Sequence, residues 1–456
     1  MVDAPVMTTP HPGPRSRAVL ERLRAVEASA GLTHGLSDDP VVLDHAEGAV
    51  ITDPDGNRFL DMVAGFGSLN LGHSHPEVVA AVRDQLERGQ QAMSMASLVR
   101  TDLLERLSAL VTGEYRVILA ASGSEATEMA LKMARRATGR HGVVAFAGGF
   151  HGRTMGALTL MGKASQRAGL GALLAGAIHL PYPDPFRSPL GSDPKEVAAT
   201  TLAILDQQLG DPASGWMPVG AVIIEPVQGN GGMIPAPAGF MSGLREVCDR
   251  HGVLLISDEV MSGFHRTGAR FAFEHDADVE PDFIVLGKSL SAGLPLSGCL
   301  VRPSVSTASP AGTESSTYSG NLVSCAAALA ALDVYAHTDL SKRADELGEH
   351  FRGELGLALE GHNNVGEIRG QGLMVGVELV EDRGGNLPLA IARDVSHLAV
   401  KAGLLLYPGG HHGNVLAFLP PLLASKEQLT TCAHIVGDIL ASAEFARSAQ
   451  TQRNRA

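Results

Sequence analysis

Short and almost wholly apolar runs recur through the middle of the chain, with helical patterns between them. They lie at residues 117–120, 143–146, 221–224, 253–257 and 283–286. Apolar residues at every position are typical of strands that are buried on both faces, as in a parallel sheet. Most of the runs are separated by roughly 25 to 35 residues, which fits βα units. The pattern therefore predicts an α/β fold in which a mostly parallel sheet lies between two layers of helices.

The pattern differs at both ends of the chain. Near the start it predicts a polar helix at 17–30 and short strands at 41–43, 49–52 and 58–62. A turn that contains Gly56 joins the last two strands as a hairpin. Beyond residue 340 it predicts, in order, a helix at 341–359, a strand within 366–379, a further helix and strand, and a last helix from Lys426. These last elements indicate a second, α+β unit.

Composition limits the functions that this fold can have. The chain has 456 residues, of which 45% are hydrophobic and 19% charged, so a large packed core is expected. A formal charge of −13 argues against a surface for nucleic acid or anionic membrane, because both need dense Lys and Arg. The chain contains no run of about 18 apolar residues, so no membrane span is predicted. The proline-containing N-terminus lacks the apolar core of a secretory signal.

Cysteine and histidine spacing argues against disulfides and metal. The four cysteines lie far apart without CxxC spacing: Cys248, Cys299, Cys325 and Cys432. Isolated buried thiols in a reducing compartment are expected, which predicts a cytoplasmic protein. His73 and His75 form an HxH pair without further ligands, so a structural turn is expected and no metal site is predicted.

A candidate phosphate site lies between the first apolar run and a helix. Small residues, among them Gly123 and Ser124, stand where the helix begins, and Gly139 is expected to end it. The apolar face of that helix comprises Ala126, Met129, Ala130, Met133, Ala134 and Ala137. Free N–H groups and the helix dipole favour an anion at the start of such a helix. The alternative is an ordinary serine N-cap.

Charged residues follow three of the apolar runs directly. Glu225 follows the third run, Asp258 and Glu259 follow the fourth, and Gly287-Lys288 follows the fifth. Open α/β sheets bind ligands at this edge, although a carboxylate there can also be a helix cap and a lysine can be solvated. Since strand side chains alternate between faces, only one of Asp258 and Glu259 can serve a given site. A desolvated lysine near another cation can form a Schiff base.

Two nucleotide-binding motifs are excluded. Gly287-Lys288-Ser289 resembles the end of a phosphate-binding P-loop, but that motif needs a glycine where this chain has Asp282. No GxGxxG occurs at a strand–helix junction, so a Rossmann dinucleotide site is not supported. In contrast, a phosphate anchor, a strand-end aspartate and a strand-end lysine are the parts that pyridoxal phosphate needs.

These residues belong to a series of motifs that resembles the class III, or ω-type, pyridoxal-phosphate-dependent aminotransferases of fold type I. The resemblance extends from about residue 40 to 440. The motifs are Gly72-His73-Ser74-His75-Pro76, Ser122-Gly123-Ser124-Glu125-Ala126, Phe150-His151-Gly152, Glu225-Pro226-Val227-Gln228-Gly229, Asp258-Glu259-Val260, Gly287-Lys288 and Thr317-Tyr318-Ser319-Gly320-Asn321. Several separate motifs that occur in the same order as in the family do not agree by chance.

The resemblance implies a role for each matched residue. Lys288 would form the Schiff base and move the proton, and Asp258 would pair with the pyridine nitrogen. The other implied cofactor contacts are Gly123 and Ser124 at the phosphate, Val260 and Phe150 on the two ring faces, Gln228 at the ring hydroxyl, and His151 and Glu225 close by. The substrates would be a small amino donor and a keto acceptor. A homodimer is implied, with Thr317 reaching the neighbouring subunit's cofactor phosphate.

The resemblance also implies a domain organisation. A large cofactor-binding domain would comprise residues 71–330, and a small domain would be built from 17–70 and 331–446. Residues 1–16 and 447–456 would be a flexible arm and a flexible tail.

The chain departs from the family at positions that bind substrate. Many relatives carry an arginine where this chain has Ala417, and a glutamate that pairs with it where this chain has Asn230. The usual carboxylate clamp is therefore expected to be absent, with His411, His412 or an arginine from elsewhere in its place. Small residues follow Phe66 in a segment that lines the relatives' substrate pocket, namely Gly67 and Ser68.

Two alternative functions remain open from the sequence. A racemase or epimerase of the same family returns the proton to the same carbon and needs no second substrate, so the missing clamp fits it too. A non-catalytic relative acting as a scaffold is a remote alternative, because Lys288, Asp258 and the phosphate motif are all retained. Every assignment requires Lys288 and Asp258 to share one cavity.

Overall fold

The structure is a computed structural model that describes residues 4–31, 33, 37–171, 173–382, 384–385 and 387–453. The chain divides into two compact units. The large unit comprises Pro76–Ser341, and the small unit comprises Met1–His75 and Lys342–Ala456. The domain limits expected from the sequence differ from these unit limits at both ends of the large domain, and the domain assignment stays a prediction.

Seventeen strands and fourteen α-helices are described in these ranges. The strands are β1 (His45–Glu47), β2 (Val50–Thr52), β3 (Arg58–Asp61), β4 (Arg116–Ala120), β5 (Gly142–Phe146), β6 (Ala177–Leu180), β7 (Val219–Ile224), β8 (Val227–Gln228), β9 (Ile234–Pro235), β10 (Leu254–Asp258), β11 (Phe283–Leu286), β12 (Ser297–Val301), β13 (Val365–Gln371), β14 (Met374–Leu379), β15 (Leu404–Leu405), β16 (Tyr407–Gly409) and β17 (Val415–Phe418). The α-helices are α1 (Pro14–Val26), α2 (Ala64–Gly67), α3 (Pro76–Arg88), α4 (Leu98–Ser108), α5 (Gly123–Thr138), α6 (Met155–Thr159), α7 (Pro194–Gly210), α8 (Phe240–His251), α9 (Pro303–Ser306), α10 (Leu322–His337), α11 (Leu340–Ala358), α12 (Ala392–Lys401), α13 (Lys426–Ala441) and α14 (Ala443–Arg453). Short 3₁₀ helices occur at Ala164–Gln166, Ala272–His275 and Lys288–Ser291.

A seven-stranded sheet forms the centre of the large unit, with strand order β4-β12-β11-β10-β7-β5-β6. Its strands are parallel except β12, which pairs antiparallel with both β11 and β4. The prediction of an α/β fold with a mostly parallel sheet is confirmed, and each of the five apolar runs coincides with one of its strands, except that Val253 precedes the first residue of β10. β6 and β12 were not predicted, since only one residue of β6 is fully buried and β12 contains serine and glycine.

Helix α5 packs on one face of this sheet because its apolar residues recur at helical spacing. Met129, Ala130 and Met133 belong to one buried cluster with Ile256 and Val285 from the strands beneath them. Hydrophobic burial therefore fixes α5 against β10 and β11.

The two ends of α5 differ in how well the sequence predicted them. Ala137, expected on the buried face, is exposed, because it lies in the last turn of α5, past the buried cluster. Gly139 ends the helix with a left-handed φ of 64°, as predicted.

The small unit contains two four-stranded sheets, ordered β1-β2-β3-β15 and β13-β14-β17-β16. The predicted hairpin forms from β2 and β3. The strand expected at 41–43 is wrong: that segment is irregular, and the strand that pairs with β2 is β1.

The first helix of the small unit begins earlier than the sequence predicted. Helix α1 begins at Pro14 rather than at residue 17, because Asp55 accepts hydrogen bonds from the N–H groups of Arg15 and Ser16, both at 2.8 Å. An acidic side chain at this position satisfies free N–H groups of the first turn and favours the helix dipole. Among the described residues, no helix has the length and apolar character needed to cross a membrane.

Candidate active site

The carboxyl ends of five strands meet at one edge of the large unit's sheet. β4 runs parallel to β11 because each pairs antiparallel with β12, and β10, β7 and β5 share their direction. A cavity of about 200 Å³ lies at this edge, where open α/β sheets bind ligands. It is lined by Gly123, Ser124, Phe150, His151, Gly152, Glu225, Asn230, Asp258, Val260, Met261 and Lys288. Lys288 and Asp258 therefore share one cavity.

Lys288 stands at a strained turn directly after β11. Gly287 before it is extended, and Lys288 itself has a left-handed φ of 44°. Such conformations are costly for residues other than glycine and persist mostly at functional sites. Burial lowers the pKa of Lys288 to about 8, Arg266 acts in the same direction, and the carboxylates of Glu225 and Asp258 oppose both. A lysine with this pKa supplies neutral, nucleophilic amine near neutral pH.

Asp258 ends β10 and is held by two hydrogen bonds. Its Oδ2 lies 2.7 Å from Nδ1 of His151, and its Oδ1 accepts the N–H of Val260 at 3.1 Å. The His151 and Asp258 side chains are only 1% and 4% exposed. Burial lowers the pKa of His151, but the hydrogen bond that it donates to Asp258 and the charges of Asp258 and Glu225 outweigh burial and raise the pKa overall. His151 thus fixes the orientation of the Asp258 carboxylate.

Glu225 follows β7 and braces two loops at the cavity. Its Oε1 accepts the N–H of Phe150 at 2.8 Å, and its Oε2 accepts the N–H of Gly229 at 3.0 Å. Burial raises the pKa of Glu225, and the charge of Asp258 adds to this effect. Glu225 therefore shapes the cavity wall as well as lining it.

The neighbouring Glu259 faces away from the cavity, as strand alternation requires. It does not line the cavity and instead accepts hydrogen bonds from Ser262 Oγ at 2.6 Å and from the N–H groups of Ala272 and Phe273 at 3.0 Å each. Burial raises its pKa to about 7. Glu259 is a structural carboxylate that anchors the loop after β10.

The start of α5 forms a concave surface that suits a phosphate. Ser122 is the N-cap and accepts the N–H of Glu125 at 3.3 Å, while Gly123 and Ser124 line the cavity. A Cβ on Gly152 would lie 2.5 Å from Ser124 Oγ, and one on Gly123 would lie 3.3 Å from Val260 Cγ1. Space that side chains would fill, next to free N–H groups of a helix N-terminus, fits an anion. With the buried lysine and aspartate, these residues fit pyridoxal phosphate.

Two predicted cofactor contacts do not line this cavity. Gln228 is 1% exposed, and its Nε2 donates to the carbonyl of Ala147 at 2.8 Å. Its Oε1 accepts no hydrogen bond from the described residues and so retains capacity for a ligand. Thr317 has an exposed side chain, and its carbonyl accepts Gln91 Nε2 at 2.8 Å.

Arg153 was missed by the sequence analysis although it directly follows the Phe150-His151-Gly152 motif. Its guanidinium carbon lies 5.7 Å from the centroid of the Phe150 ring, and its N–H donates to Ser124 Oγ at 3.1 Å. Its side chain is exposed. The structure thus places a solvent-accessible cation against a residue that lines the cavity.

The predicted substrate residues lie in the small unit. Phe66 and Tyr407 make an edge-to-face contact with ring centroids 5.1 Å apart. Phe66 has a left-handed φ of 59° and Gly67 one of 77°. His411 and His412 follow β16, with their ring centroids 6.4 Å apart. Within this unit the structure brings the segment of Phe66 against the strand that leads to the two histidines.

Two other features of the small unit have structural explanations. His73 Nε2 lies 2.8 Å from Asp61 Oδ2, which suits the structural turn expected from the sequence. A cavity of about 650 Å³ is lined by segments 4–5, 47–50 and 423–431, and its charged lining residues among those described are Glu47 and Glu427. It therefore lacks the lysine–aspartate pair of the large unit. Among the described residues, no group of three His, Cys, Asp or Glu side chains is arranged to hold a metal ion.

Comparisons with known proteins identify the family to which the chain is similar. The profile of class-III aminotransferases matches residues 34–440. The chain is 37% identical over 428 residues to 5-aminovalerate aminotransferase of Pseudomonas putida, covering 92% of this chain and 97% of that protein. It is 33% identical over 446 residues to the alanine/serine racemase of Pyrococcus horikoshii, covering 96% and 92%. A solved amine transaminase from an uncultivated Pseudomonas species, in its PLP-bound form, matches with a TM-score of 0.81 and 35% identity, covering 92% of this chain and 98% of that chain.

Proposed function

Since this chain belongs to the class III aminotransferase family, we propose that its cofactor is held in the cavity of the large unit by Lys288, Asp258 and the start of α5. The protein is a pyridoxal-phosphate-dependent aminotransferase, which moves an amino group from an amino donor to a keto acceptor. The observation that carries the site assignment is the single cavity that Lys288, Asp258, Gly123 and Ser124 line together.

Lys288 and Asp258 have complementary roles in this proposal. Pyridoxal phosphate, when bound, supplies an electron sink for charge that develops on the substrate carbon. Lys288 Nζ would hold the cofactor covalently and would serve as the acid–base group for the proton that the reaction moves. Asp258 keeps the pyridine nitrogen protonated, because a carboxylate beside a ring nitrogen favours its charged form. His151 holds Asp258 in position through the 2.7 Å contact.

The remaining contacts orient the cofactor. Gly123 and Ser124 bind the phosphate with N–H and hydroxyl groups, and Val260 and Phe150 cover the two faces of the ring. Gln228 Oε1 has no hydrogen-bond partner among the described residues and would accept from the ring hydroxyl.

A homodimer is part of the proposal. Exposed apolar side chains lie in the chain segment that contacts the Thr317 loop: Met93, Met95 and Leu98 are 55%, 64% and 85% exposed, and Tyr318 is 67% exposed. Large exposed apolar side chains that occur close together favour association. A second copy that covers them would bring Thr317 to the neighbouring cofactor phosphate. A cytoplasmic location also stays a proposal, supported by four buried free cysteines.

Arg153 is proposed to bind the carboxylate of the substrate. Asn230 lines the cavity where many relatives have glutamate, and Ala417 is fully buried in β17 where they have arginine. An exposed guanidinium beside Phe150 offers the bidentate geometry that carboxylates prefer. We therefore infer an amino donor whose carboxylate is remote from its amine, as in 5-aminovalerate, the substrate named for the Pseudomonas putida relative.

Racemisation is the second candidate, favoured by the 33% identity to an alanine/serine racemase. A racemase needs no carboxylate switch between two substrates, so Ala417 and Asn230 suit it as well. Proton NMR in deuterium oxide with alanine and no keto acid separates the two reactions. Catalytic deuteration at the α-carbon with loss of optical activity would favour the racemase. A scaffold without cofactor is a remote third candidate, and the absorbance experiment below would reveal it.

Absorbance spectroscopy tests the transaminase assignment. The purified protein is expected to absorb at the violet edge of the visible range, and borohydride is expected to fix the cofactor on Lys288, which peptide mass spectrometry detects. Addition of 5-aminovalerate alone should bleach the violet band, and a keto acid should restore it. A protein that stays colourless after incubation with pyridoxal phosphate would contradict the proposal and favour the scaffold.

A further inference from the structure

The loop that carries Thr317 is fastened to α5 by charged side chains. Glu314 in this loop lies 2.5 Å from Lys132 Nζ through Oε2 and 2.5 Å from Arg136 Nη1 through Oε1. The Glu314 side chain is 4% exposed, whereas the two cations are 48% and 39% exposed. A nearly buried carboxylate that divides its oxygens between two cations is costly to leave unpaired, so it restrains its loop more than an exposed ion pair does.

Hydrogen bonds extend this attachment along the loop. Arg136 Nη1 also donates to Ser309 Oγ at 3.1 Å and to Thr313 Oγ1 at 3.2 Å. Nearer to Thr317, Ser316 Oγ donates to Glu125 Oε2 at 3.4 Å, and this oxygen also accepts the N–H of Ala121 at 2.8 Å. The loop is therefore joined to both ends of α5.

Thr317 is fixed through its backbone while its side chain stays exposed. Its carbonyl accepts from Gln91 Nε2, and Thr317 does not line the cavity of its own chain. A residue whose backbone is held by its neighbours, and whose exposed side chain does not line the cavity of its own chain, is suited to a ligand outside its own chain.

We propose that Glu314, Lys132 and Arg136 form a clamp that positions Thr317 for the cofactor phosphate of a second copy of the chain. This inference rests on the proposed function, because it requires both the dimer and the contact of Thr317 with phosphate. Helix α5 then serves two sites. Its N-terminus binds the phosphate of its own subunit, and its later turns fix the loop that completes the neighbouring site. Glu314 is a positioning residue, since it acts through Thr317.

Mixed dimers separate this effect from a change within one subunit. Two differently tagged chains are co-expressed and purified through both tags, and one of them carries Lys288→Ala, so that only the other chain holds the cofactor covalently. Glu314→Gln is then introduced into either chain. The rate at which the violet absorbance is lost during dilution into a trap for free pyridoxal phosphate reports how firmly the remaining site retains its cofactor.

The clamp predicts a dependence on which chain is changed. Glu314→Gln in the Lys288→Ala chain should accelerate cofactor loss about tenfold, the effect of losing one charge-assisted hydrogen bond. The same change in the cofactor-bearing chain should leave the rate unaltered. Glu314→Asp should restore most of the retention, because the charge remains. Acceleration only in the cofactor-bearing chain, or in neither, would overturn the clamp.

Further variants keep failure of the clamp distinct from failure of the proposed function. Thr317→Val in the Lys288→Ala chain should match Glu314→Gln there, and the two changes together should add little to either. No mixed dimers, or no effect of Thr317→Val, would instead refute the contact that the clamp serves. Lys132→Met provides a second test if Glu314→Gln does not fold. Asp333→Asn is the matched control, because it removes an exposed ion pair with Arg106 in the same unit and should change nothing.

Discussion

The two predicted catalytic residues of the large unit, Lys288 and Asp258, lie at the ends of buried strands, whereas the predicted substrate residues of the small unit lie in turns and loops. Asp258 ends β10 in register with Val285 of β11, which places Lys288 only three residues beyond that pair. Phe66 lies in a short segment of left-handed backbone, and His411 and His412 lie between β16 and β17. Sheet register determines where a strand-end side chain lies, but it leaves loop side chains undetermined. The difference predicts large and sharply localised effects in the large unit and smaller effects in the small unit.

Replacement of Lys288 should have the largest effect. Lys288→Ala removes the proposed covalent attachment of the cofactor and the group proposed to move the proton, so kcat should fall at least about 10⁴-fold. Borohydride treatment should then leave no cofactor fixed to the protein. Lys195→Ala is the control, because this lysine is exposed on α7. Retention of more than one percent or so of the activity by Lys288→Ala would refute the assignment.

Adjacent carboxylates on opposite faces of β10 should respond differently. Asp258→Asn removes the charge proposed to face the pyridine nitrogen but keeps an oxygen that can accept from His151, so kcat should fall about 10²- to 10³-fold with little change in the thermal midpoint. Glu259→Gln should lower the thermal midpoint and leave kcat almost unchanged, because Glu259 accepts hydrogen bonds from Ser257 of β10 and from the loop that follows, and not from residues that line the cavity. Equal losses of activity in the two variants would show that the face on which a carboxylate lies does not determine its role.

The pH dependence of the protein's stability should reflect ionisation of the Glu259 carboxyl. Its pKa is raised from 4.5 to about 7 by burial, so the folded protein binds this proton more tightly than the unfolded chain. The associated stability is complete below pH 4.5 and is lost as the pH rises to 7, with a total of about 3 kcal/mol. The difference in thermal midpoint between the native protein and Glu259→Gln should therefore be larger at pH 5 than at pH 8. A difference that is constant or grows with pH would contradict this.

Replacement of Arg153 should weaken binding of the substrate more than it slows the chemical step. Arg153→Leu removes the proposed carboxylate partner and should reduce kcat/KM for 5-aminovalerate about tenfold or more, chiefly through KM. The matched substrate pentylamine lacks a carboxylate, and its kcat/KM should hardly change. An equal loss with both substrates would assign Arg153 to support of Ser124 and Phe150 rather than to the substrate.

Residues that the sequence identified are those whose position depends on local pattern. Lys288 and Asp258 could be predicted because each directly follows a short apolar run, and the common direction of these strands brings their ends together. The partnership of His151 with Asp258 joins residues 107 positions apart, and nothing local indicates it. The left-handed backbone at Phe66 depends in the same way on tertiary packing, because phenylalanine does not favour that conformation, whereas the flanking Gly65 and Gly67 adopt it readily.

Replacement of His411 and His412 in the small unit should have the smallest effect on activity. His411 is half-buried and His412 is exposed in the loop between β16 and β17. A neutral histidine that donates one hydrogen bond to a substrate carboxylate contributes about 1 kcal/mol, so the double change to alanine should raise KM for 5-aminovalerate about threefold to fivefold and leave kcat unchanged. Pentylamine again serves as the substrate without a carboxylate. A larger loss than that of Arg153→Leu would show that the small unit provides the main carboxylate contact, and would reverse the order of effects expected for the two units.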